Sequence, residues 1–275
     1  WMFGYNIFLD QQISGNAHRR VGFGGELARD YVKLSANSYH RLGGWKHSAK
    51  VEDYDERAAN GYDIRTEAYL PFYPQLGGKL MYEKYFGDEV ALFGINERQK
   101  NPSALTAGVS YTPIPLVSLG LDHTVGNGGK NKAGFNFGVN YEINTPWQKQ
   151  IDPAAVQATR TLAGSRMDLV DRNNNIVLEY RKQQVVTLNL PDNISGKETQ
   201  ILPINYTFNA RHGFDCIELY AVVVFLAGGQ VSDLGNLAYH VALPPYIDGA
   251  ANAYVLSWRA VDKKGNYSTS SSTNI

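Results

Sequence analysis

The chain is short of cysteine, methionine and net charge. Its 275 residues include one cysteine, Cys216, and three methionines, and 26 basic residues balance 26 acidic ones. A single cysteine excludes an internal disulfide framework and a zinc site built from spaced cysteines. Because the charge is neutral and no basic stripe stands out, nucleic acid is not an expected partner.

Long apolar runs are missing too. No run of eighteen apolar residues occurs, so we expect no transmembrane helix. A transmembrane β-barrel is not excluded, because its backbone groups bond between strands and only alternate side chains face lipid. The 27 glycines, 18 tyrosines and 11 phenylalanines favour strands, turns and aromatic belts. No signal peptide is recognisable at Trp1, so we expect a mature, truncated chain.

Apolar and polar residues alternate with a period of two through the first half of the chain. The alternation is strongest over residues 62–70, 105–111, 117–125 and 133–143, and weaker over 3–9, 20–27, 32–40 and 76–86. Each segment suits a tilted membrane strand of about 9–11 residues. The polar positions are mostly Gly, Ser, Thr and Asn, which suit a wet lumen, and the apolar ones end in aromatics, which suit headgroup girdles. Lys84 is the misfit: it falls among the apolar positions and is expected to extend toward the interface.

The connections between these segments alternate in length. Residues 29–30, 71–75 and 113–116 are short, whereas 11–18, 43–60, 87–103 and 126–132 are longer and more polar. Outer-membrane barrels place short turns in the periplasm and long loops outside. The pattern therefore predicts about eight passes that begin and end on the periplasmic side. A large soluble antiparallel barrel or sandwich is the alternative.

The alternation stops after Pro146. Asp152 and Pro153 predict the start of a short helix over residues 154–162, which Gly164 ends. A strand is expected at 176–180. From about residue 185, short strands are predicted at 186–190, 200–208, 217–225, 239–243, 253–261 and from 267, which is typical of an immunoglobulin-like sandwich. Cys216, beside this apolar material, is expected to be buried.

Several blocks of residues carry a family resemblance. They are GYNIFLDQ at 4–11, GFGGE at 22–26, RDY at 29–31, DYDER at 53–57, ANGYDIR at 59–65, YLP at 69–71, VSYTPIPLV at 109–117, RTLAGSR at 160–166, RNNNIVLEY at 172–180, LPPY at 243–246 and DKKGN at 262–266. In this order they closely resemble the intimin and invasin family, the inverse autotransporters of type Ve secretion, and its intimin branch above all. The likeness covers essentially the whole chain.

The resemblance implies an all-β chain: about eight strands of a transmembrane antiparallel β-barrel of about twelve, plus an immunoglobulin-like β-sandwich. It implies three parts, namely a translocator at 1–147 without its first strands, a linker at 148–182 and a passenger domain at 183–275. About eight strands leave an interior that side chains just fill, so a linker threaded through the lumen needs the missing strands. The family exports its own passenger, which adheres to host cells or takes part in biofilm contact.

Topology then predicts the path of the linker. If residue 145 lies in the periplasm and the passenger lies at the cell surface, the linker crosses the membrane again, and the lumen is the polar route. The expected plug helix is represented by Ala154, Val156, Ala158 and Leu162. The linker side chains expected to contact the lumen are Arg160, Arg166, Asp168 and Arg172. The expected lumenal charges are Glu26, Lys33, Asp63, Arg65, Glu67, Lys79, Glu83 and Glu142.

We expect no enzyme, cofactor, metal or nucleic-acid site. The six histidines lack metal-ligand spacing. An acidic cluster, Asp53, Asp55 and Glu56, near His47, is where a barrel enzyme would place paired carboxylates. A porin-like channel and a barrel enzyme are the alternatives to an adhesin. The expected partners are outer-membrane lipid, the barrel-assembly machinery, periplasmic chaperones, and a host receptor or surface reached through domains beyond this chain.

Overall fold

A computed structural model describes residues 1–165, 168–220 and 222–275. Arg166, one of the predicted linker contacts, lies outside the described residues. The chain divides into two compact units, residues 1–182 and 183–275, and each is described by itself. In the part of the chain described, no helix is long and apolar enough to cross a membrane.

Eight long strands of the first unit form one antiparallel sheet in the order β1-β2-β3-β6-β7-β9-β10-β11. Each of these strands pairs with the one before it and the one after it in this order, which follows the chain, so β1 and β11 are the edge strands of the sheet. Its strands are β1 (Met2–Gln11), β2 (Arg19–Arg29), β3 (Val32–Leu42), β6 (Asn60–Leu70), β7 (Tyr73–Phe86), β9 (Ser103–Ile114), β10 (Val117–Gly126) and β11 (Asn131–Val139). The predicted strand 133–143 is therefore too long, and Glu142 lies beyond the sheet.

The two faces of this sheet have opposite character. Side chains on one face are apolar and exposed, with Tyr5 90% and Phe3 80% accessible. The other face is polar and covered, and Asp63 and Arg20 are fully buried there. This arrangement inverts that of a soluble sandwich, whose buried face is apolar. The eight strands thus alternate in the way a sheet does when its exposed side faces lipid.

Four short strands form a second sheet at the edge where the long connections lie. Its order is β4-β5-β12-β8. Its members are β4 (Lys46–His47), β5 (Tyr54–Ala58), β8 (Glu89–Val90) and β12 (Leu178–Lys182). Because β12 comes from the linker, the linker is hydrogen-bonded between two long connections. The predicted strand 176–180 thus lies two residues later.

The helical segments of the first unit are short. They are α1 (Trp147–Gln150), α2 (Val156–Thr159) and 3-10 turns at Ile95–Glu97, Asn127–Gly129 and Pro153–Ala155. Asp152 caps the last of these turns by accepting a hydrogen bond from the backbone N–H of Ala154 at 2.9 Å. The single helix predicted over 154–162 is wrong: Pro153–Ala155 is a 3-10 turn and α2 ends at Thr159, so Leu162 lies beyond the helix.

The second unit is built from three small antiparallel sheets, β13-β15, β14-β18-β17 and β16-β19-β20. Its elements are β13 (Val186–Asn189), β14 (Ile201–Pro203), β15 (Thr207–Ala210), β16 (Phe214–Tyr220), α3 (Val222–Leu226), β17 (Gln230–Asp233), β18 (Tyr239–Ala242), β19 (Val255–Asp262) and β20 (Ser271–Asn274). Trp258, Leu256, Val186 and Val241 are fully buried in its core.

Three predictions for this unit are wrong. The strand expected over 200–208 is split in two. The strand expected over 217–225 ends at Tyr220 and is followed by α3, because an apolar run that short suits a strand or a buried helix equally. Cys216 is exposed rather than buried, because a register shift falls between Phe214 and Cys216 while Ile217 turns toward the core. The sequence pattern did not predict the polar strand β17.

Candidate functional site

The linker runs along the polar face of the large sheet from one edge to the other. At the short-turn edge, the backbone N–H of Tyr31 donates to the carbonyl of Arg160 at 2.9 Å, and the N–H of Leu162 donates to the Asp30 carboxylate at 2.7 Å. At the long-connection edge, β12 pairs with β5 and β8. The two ends of the linker therefore lie at opposite edges of the sheet.

Arg160 fixes the linker near the short turns. Its guanidinium lies 3.8 Å from the centroid of the Tyr69 ring and donates to the Thr112 hydroxyl at 2.8 Å. It also donates to the carbonyl of Pro74 at 3.3 Å. Val156 of α2, four residues before Arg160, is fully buried. A cation–π contact and two hydrogen bonds thus hold this end of the linker on three different strands or turns.

The middle of the linker is held by ion pairs with β3 and β6. Lys33 pairs with Asp168. Arg65 pairs with Asp171 of the linker at 2.9 Å and with Asp63 of its own strand at 2.9 Å. The pair of Lys33 with Asp168 joins a predicted charge of the polar face to a predicted linker contact, whereas Asp171, the linker partner of Arg65, was not predicted.

A cluster around Asp10 holds the next residues. Arg172 donates to both Asp10 oxygens, at 2.7 and 2.8 Å, and Arg20 donates to Asp10 at 2.9 Å. The Arg172 guanidinium also lies 4.1 Å from the Phe8 ring centroid. Because Arg20 is fully buried, the Asp10 carboxylate compensates one buried cation and binds one linker cation.

Among the linker residues that the structure describes, Asn173 makes the most hydrogen bonds, and the sequence did not predict it. Its backbone N–H donates to the Tyr39 hydroxyl at 2.8 Å, and its side chain donates to the Tyr85 hydroxyl at 2.9 Å and to Glu83 at 3.3 Å. Its carbonyl accepts a bond from Arg20. The Asn-rich stretch 173–175 carries no local sign of these contacts, and the two tyrosines on inward-facing positions are the available signal.

The far end of the linker is clamped by the short sheet. Glu179 is buried and accepts from Arg57 at 2.7 Å, with Arg41 at 3.8 Å. Burial, together with the neighbouring Glu56 carboxylate, raises the pKa of Tyr180 to about 12. The Tyr180 hydroxyl is hydrogen-bonded to the Glu56 carboxylate, which lies opposite it on β5.

The aromatic ring of Trp45 adds to this clamp. The Arg57 guanidinium lies 4.0 Å and the Arg181 guanidinium 4.5 Å from its centroid. Contacts of this kind stabilise by roughly 0.5–2 kcal/mol each. A strand of the linker is thus bound by backbone pairing, one buried carboxylate and one aromatic ring.

Some predicted site residues lie elsewhere or make other contacts. Lys79 pairs with Asp122 of the sheet at 2.8 Å, and Glu67 accepts from Tyr69. Glu26 is buried on the polar face. Ala154 and Ala158 are exposed. Glu142 accepts from Thr145 at 2.9 Å beyond the last strand, and it lines the same cavity as Lys33 and Arg65.

The acidic cluster considered for an enzyme is engaged in pairing. Asp55 pairs with Arg181 at 3.0 Å and with His47 at 3.1 Å. Glu56 lies 3.2 Å from His18 and accepts from Ser48 at 2.6 Å. Carboxylates tied to these partners act as structural links of the short sheet.

Comparisons with known proteins place the chain in one family. The profile of the inverse autotransporter beta-domain matches residues 1–174, and the profile of the first Ig-like domain of intimin matches residues 187–275. A solved structure titled "Unveiling the Mechanism Behind the in-meso Crystallization of Membrane Proteins" is similar with a TM-score of 0.64 and 53% sequence identity. That match covers 65% of this chain and 74% of the other.

Named relatives agree with these profiles. Intimin of Escherichia coli O127:H6 is 47% identical over 270 residues, which is 97% of this chain and 29% of intimin. The inverse autotransporter adhesin YeeJ of Escherichia coli K12 is 43% identical over 98% of this chain and 12% of YeeJ. Invasin of Yersinia enterocolitica is 40% identical over 100% of this chain and 35% of invasin. The chain spans about a third or less of these relatives.

These matches confirm the predicted family resemblance and the all-β fold class. The alternating sheet and its exposed apolar face are what an outer-membrane location demands. The chain belongs to the inverse autotransporter family of outer-membrane adhesins.

Proposed function

We propose that residues 1–147 anchor the protein in the outer membrane and that residues 148–182 carry the immunoglobulin-like unit, residues 183–275, to the cell surface. The whole protein then attaches the bacterium to host cells or to surfaces in a biofilm. One observation carries this proposal: the linker crosses the sheet on its polar face, from the short-turn edge to the long-connection edge.

Physical chemistry supports this route. An extended segment exposed to hydrocarbon would leave backbone groups without partners at a cost of several kcal/mol each. Along the polar face, linker groups are bonded instead: the carbonyl of Asp171 accepts from Asn37 at 2.9 Å and that of Asn173 accepts from Arg20. When such a sheet closes into a barrel, this face lines the lumen.

The linker also serves as a plug in this proposal. The 3-10 turn and α2, which contain Ala154, Val156 and Ala158, close the short-turn mouth together with Leu162 beyond them. Arg160, Asp168 and Arg172 bind the lumenal wall. A helix as short as α2 is unstable alone, and the Arg160 contacts supply the missing stabilisation. Lumenal charges of both signs, represented by Lys33, Asp63 and Arg65, match the charges of the linker.

Biogenesis and attachment call for partners outside this chain. We propose that periplasmic chaperones and the barrel-assembly machinery insert the sheet, since strands with exposed aromatics on one whole face aggregate in water. The receptor or surface is bound through domains beyond residue 275. The proposed boundary between residues 182 and 183 is supported by the division of the chain into two compact units there, and the boundary between 147 and 148 rests on the end of the alternation.

Surface proteolysis on intact cells tests the proposal. Protease added outside is expected to cut within residues 185–275 while a tag inserted in the short turn 113–116 stays protected until the outer membrane is permeabilised. Cleavage at the short turn in intact cells, with residues 185–275 protected, would reverse the topology and overturn the proposal.

Conductance separates the plug from the rival diffusion channel. Deleting residues 154–172 is expected to raise bilayer conductance severalfold, because the segment occupies the polar face. Deleting residues 183–275 is the matched control and is expected to leave conductance unchanged. Equal conductance in the parent protein and in the two deletion variants would contradict the plug.

A further inference from the structure

The charges on the apolar face of the large sheet are all positive. Alternation places three cations on this face, Arg19, Arg29 and Lys84, among exposed aromatic and aliphatic side chains. Residues 1–139, all of which the structure describes, place no Asp or Glu on that face of the eight strands. Cations exposed toward hydrocarbon are costly unless they reach the headgroup level, so their position along the strands is informative.

Two of these cations and a histidine gather at the long-connection edge. Arg19 is the first residue of β2, and His40 and Lys84 are each the third residue from the end of their strands. The ammonium of Lys84 lies 5.8 Å from the Phe86 ring centroid, and Phe86 is two residues nearer that edge. The Lys84 side chain therefore leans toward the long connections, as a snorkelling lysine does.

Strand register brings polar groups into the same row. Lys84 lies opposite Tyr62, and Tyr62 lies opposite Ser38. His40 Nε2 lies 3.3 Å from the Ser38 hydroxyl. With strands about 4.8 Å apart, the row from Ser38 to Lys84 spans roughly 10 Å. Arg19 lies outside this row, opposite Leu42 and two residues beyond His40, so the line from Arg19 through His40 to Lys84 is roughly 20 Å long.

The inward cations of the same strands behave differently. Arg20, Arg65 and Lys79 each pair with a carboxylate within 3 Å. Among the described residues, neither Arg19 nor Lys84 makes an ion pair with any carboxylate. The protein thus compensates its lumenal charge internally and leaves the charge at the lipid-facing rim for an external anion.

We propose that Arg19, His40 and Lys84 form a binding surface for the phosphate groups of lipid A, the phosphorylated glycolipid of the outer leaflet. The assignment rests on the proposed function, which puts the long connections outside. Charge complementarity identifies the phosphates, the hydroxyls of Ser38 and Tyr62 suit the sugar, and Phe23 and Phe86, 49% and 44% exposed, suit the acyl chains.

Lipid binding to the purified full-length protein in detergent tests this surface. In native mass spectrometry with added lipid A, Lys84→Gln and Arg19→Gln are each expected to weaken binding about fivefold, the contribution of one cation near an anionic surface. Lys84→Arg is expected to retain binding. Arg29→Gln, a cation on the same face at the opposite edge, is the matched control and is expected to have no effect.

The outcomes separate this inference from the proposed function. Unchanged lipid A binding in both Lys84→Gln and Arg19→Gln overturns the surface, while surface proteolysis still tests the topology. Weakened binding in Arg29→Gln alone also overturns it and places the glycolipid leaflet at the short-turn edge, against the proposed orientation. Equal binding of phosphatidylglycerol and lipid A overturns the choice of lipid A as the occupant. Thermal unfolding of each variant, expected to match the parent, shows that the fold is intact.

Discussion

Arg172 of the linker donates to both carboxylate oxygens of Asp10, at 2.7 and 2.8 Å, across 162 residues of sequence. The same carboxylate accepts from Arg20, whose side chain is fully buried. Asp10 is therefore shared between the wall and the linker. Its loss would leave a buried cation without compensation, which costs more than a missing surface pair.

We predict that Asp10→Asn loosens the linker. A cost of about 2 kcal/mol is expected, because the substitution leaves the buried Arg20 without its anion. Hydrogen exchange of amides in residues 168–178 should then accelerate by about tenfold or more. Lys100→Ala, which breaks an ion pair that is largely exposed on both sides, is the control and should change exchange little. Unaltered exchange in Asp10→Asn would argue against a shared anchor.

Cross-linking should report the linker path directly. In a Cys216→Ser background, Lys33→Cys with Asp168→Cys is expected to react with a short bismaleimide, since the two native side chains form an ion pair. Leu34→Cys with Asp168→Cys is the matched control: Leu34 is 44% exposed on the opposite face. Shift on a denaturing gel is the measurement. Equal cross-linking of both pairs would mean that the linker is not confined to the polar face.

The buried carboxylate of Glu179 should hold the last linker strand in place. Glu179→Ala removes the partner of Arg57 and the acceptor of the Asp88 N–H, with an expected cost of about 2 kcal/mol. Limited proteolysis within residues 87–103 is then expected to speed up. Glu97→Ala, which removes an exposed pair with Lys130 at 2.9 Å, should have a much smaller effect.

A glycine next to Glu179 offers an independent test. Gly87 has φ of 150°, and a Cβ there would lie 2.5 Å from Glu179 Cδ. Gly87→Ala is therefore expected to disturb β12 as Glu179→Ala does, whereas Gly94→Ala, with a similar φ but open space around it, bears only the backbone strain. Comparable proteolysis rates for the two glycine variants would contradict the contact.

Trp258 should dominate the stability of the second unit. Its ring is fully buried and lies 4.9 Å from the Tyr239 ring and 5.5 Å from the Tyr206 ring, edge to face. Trp258→Ala is expected to cost about 3–5 kcal/mol. Trp258→Phe is expected to cost less, because Nε1 has no hydrogen-bond partner in the described structure. Denaturant-dependent hydrogen exchange of residues 254–261 measures both, with Val255→Ala, half exposed on the same strand, as control.

Acid should destabilise the second unit through Asp262. Burial opposes the charge of this carboxylate, but hydrogen bonds from the Asn266 side chain and from the backbone N–H groups of Asn266 and Lys264 hold the pKa of Asp262 below its ordinary value. Between the folded and unfolded pKa values the unfolded state binds more protons, so the contribution is present above about pH 4 and is lost as the pH falls further.

The measurement is the exchange of amides in residues 255–268 as a function of pH, corrected for the intrinsic rate. Asp262→Asn is expected to remove part of the loss of stability below pH 4. Asp248→Asn, on an exposed turn, should show the same loss of stability below pH 4 as the parent. An acid profile that is the same in Asp262→Asn and in the parent would exclude this carboxylate as the source.

Local pattern was enough to predict the large sheet. Side chains alternate with a period of two in any strand, so the polarity of residues such as Phe135 and Asp63 predicted both the strands and their two faces. The short and long connections predicted the edges. Short strands at regular spacing predicted the second unit. Charge, topology and the family resemblance together predicted that linker residues such as Asp168 meet charges such as Lys33 on the polar face, without specifying the pairs.

Contacts between distant residues were decided by tertiary structure. Asn173 bonds to Tyr39 and Tyr85, but nothing local distinguishes an asparagine that enters a turn from one that enters a buried network. The prediction of the linker helix was wrong for the same reason. Helix propensity does not determine the bounds of a helix as short as α2, and the contact of Arg160 with the Tyr69 ring determines where it lies. The sequence by itself determined which faces of the strands are polar, because alternation is a property of the backbone. Only the tertiary structure decided which polar groups meet, because hydrogen bonds and ion pairs depend on positions that chain neighbours do not specify.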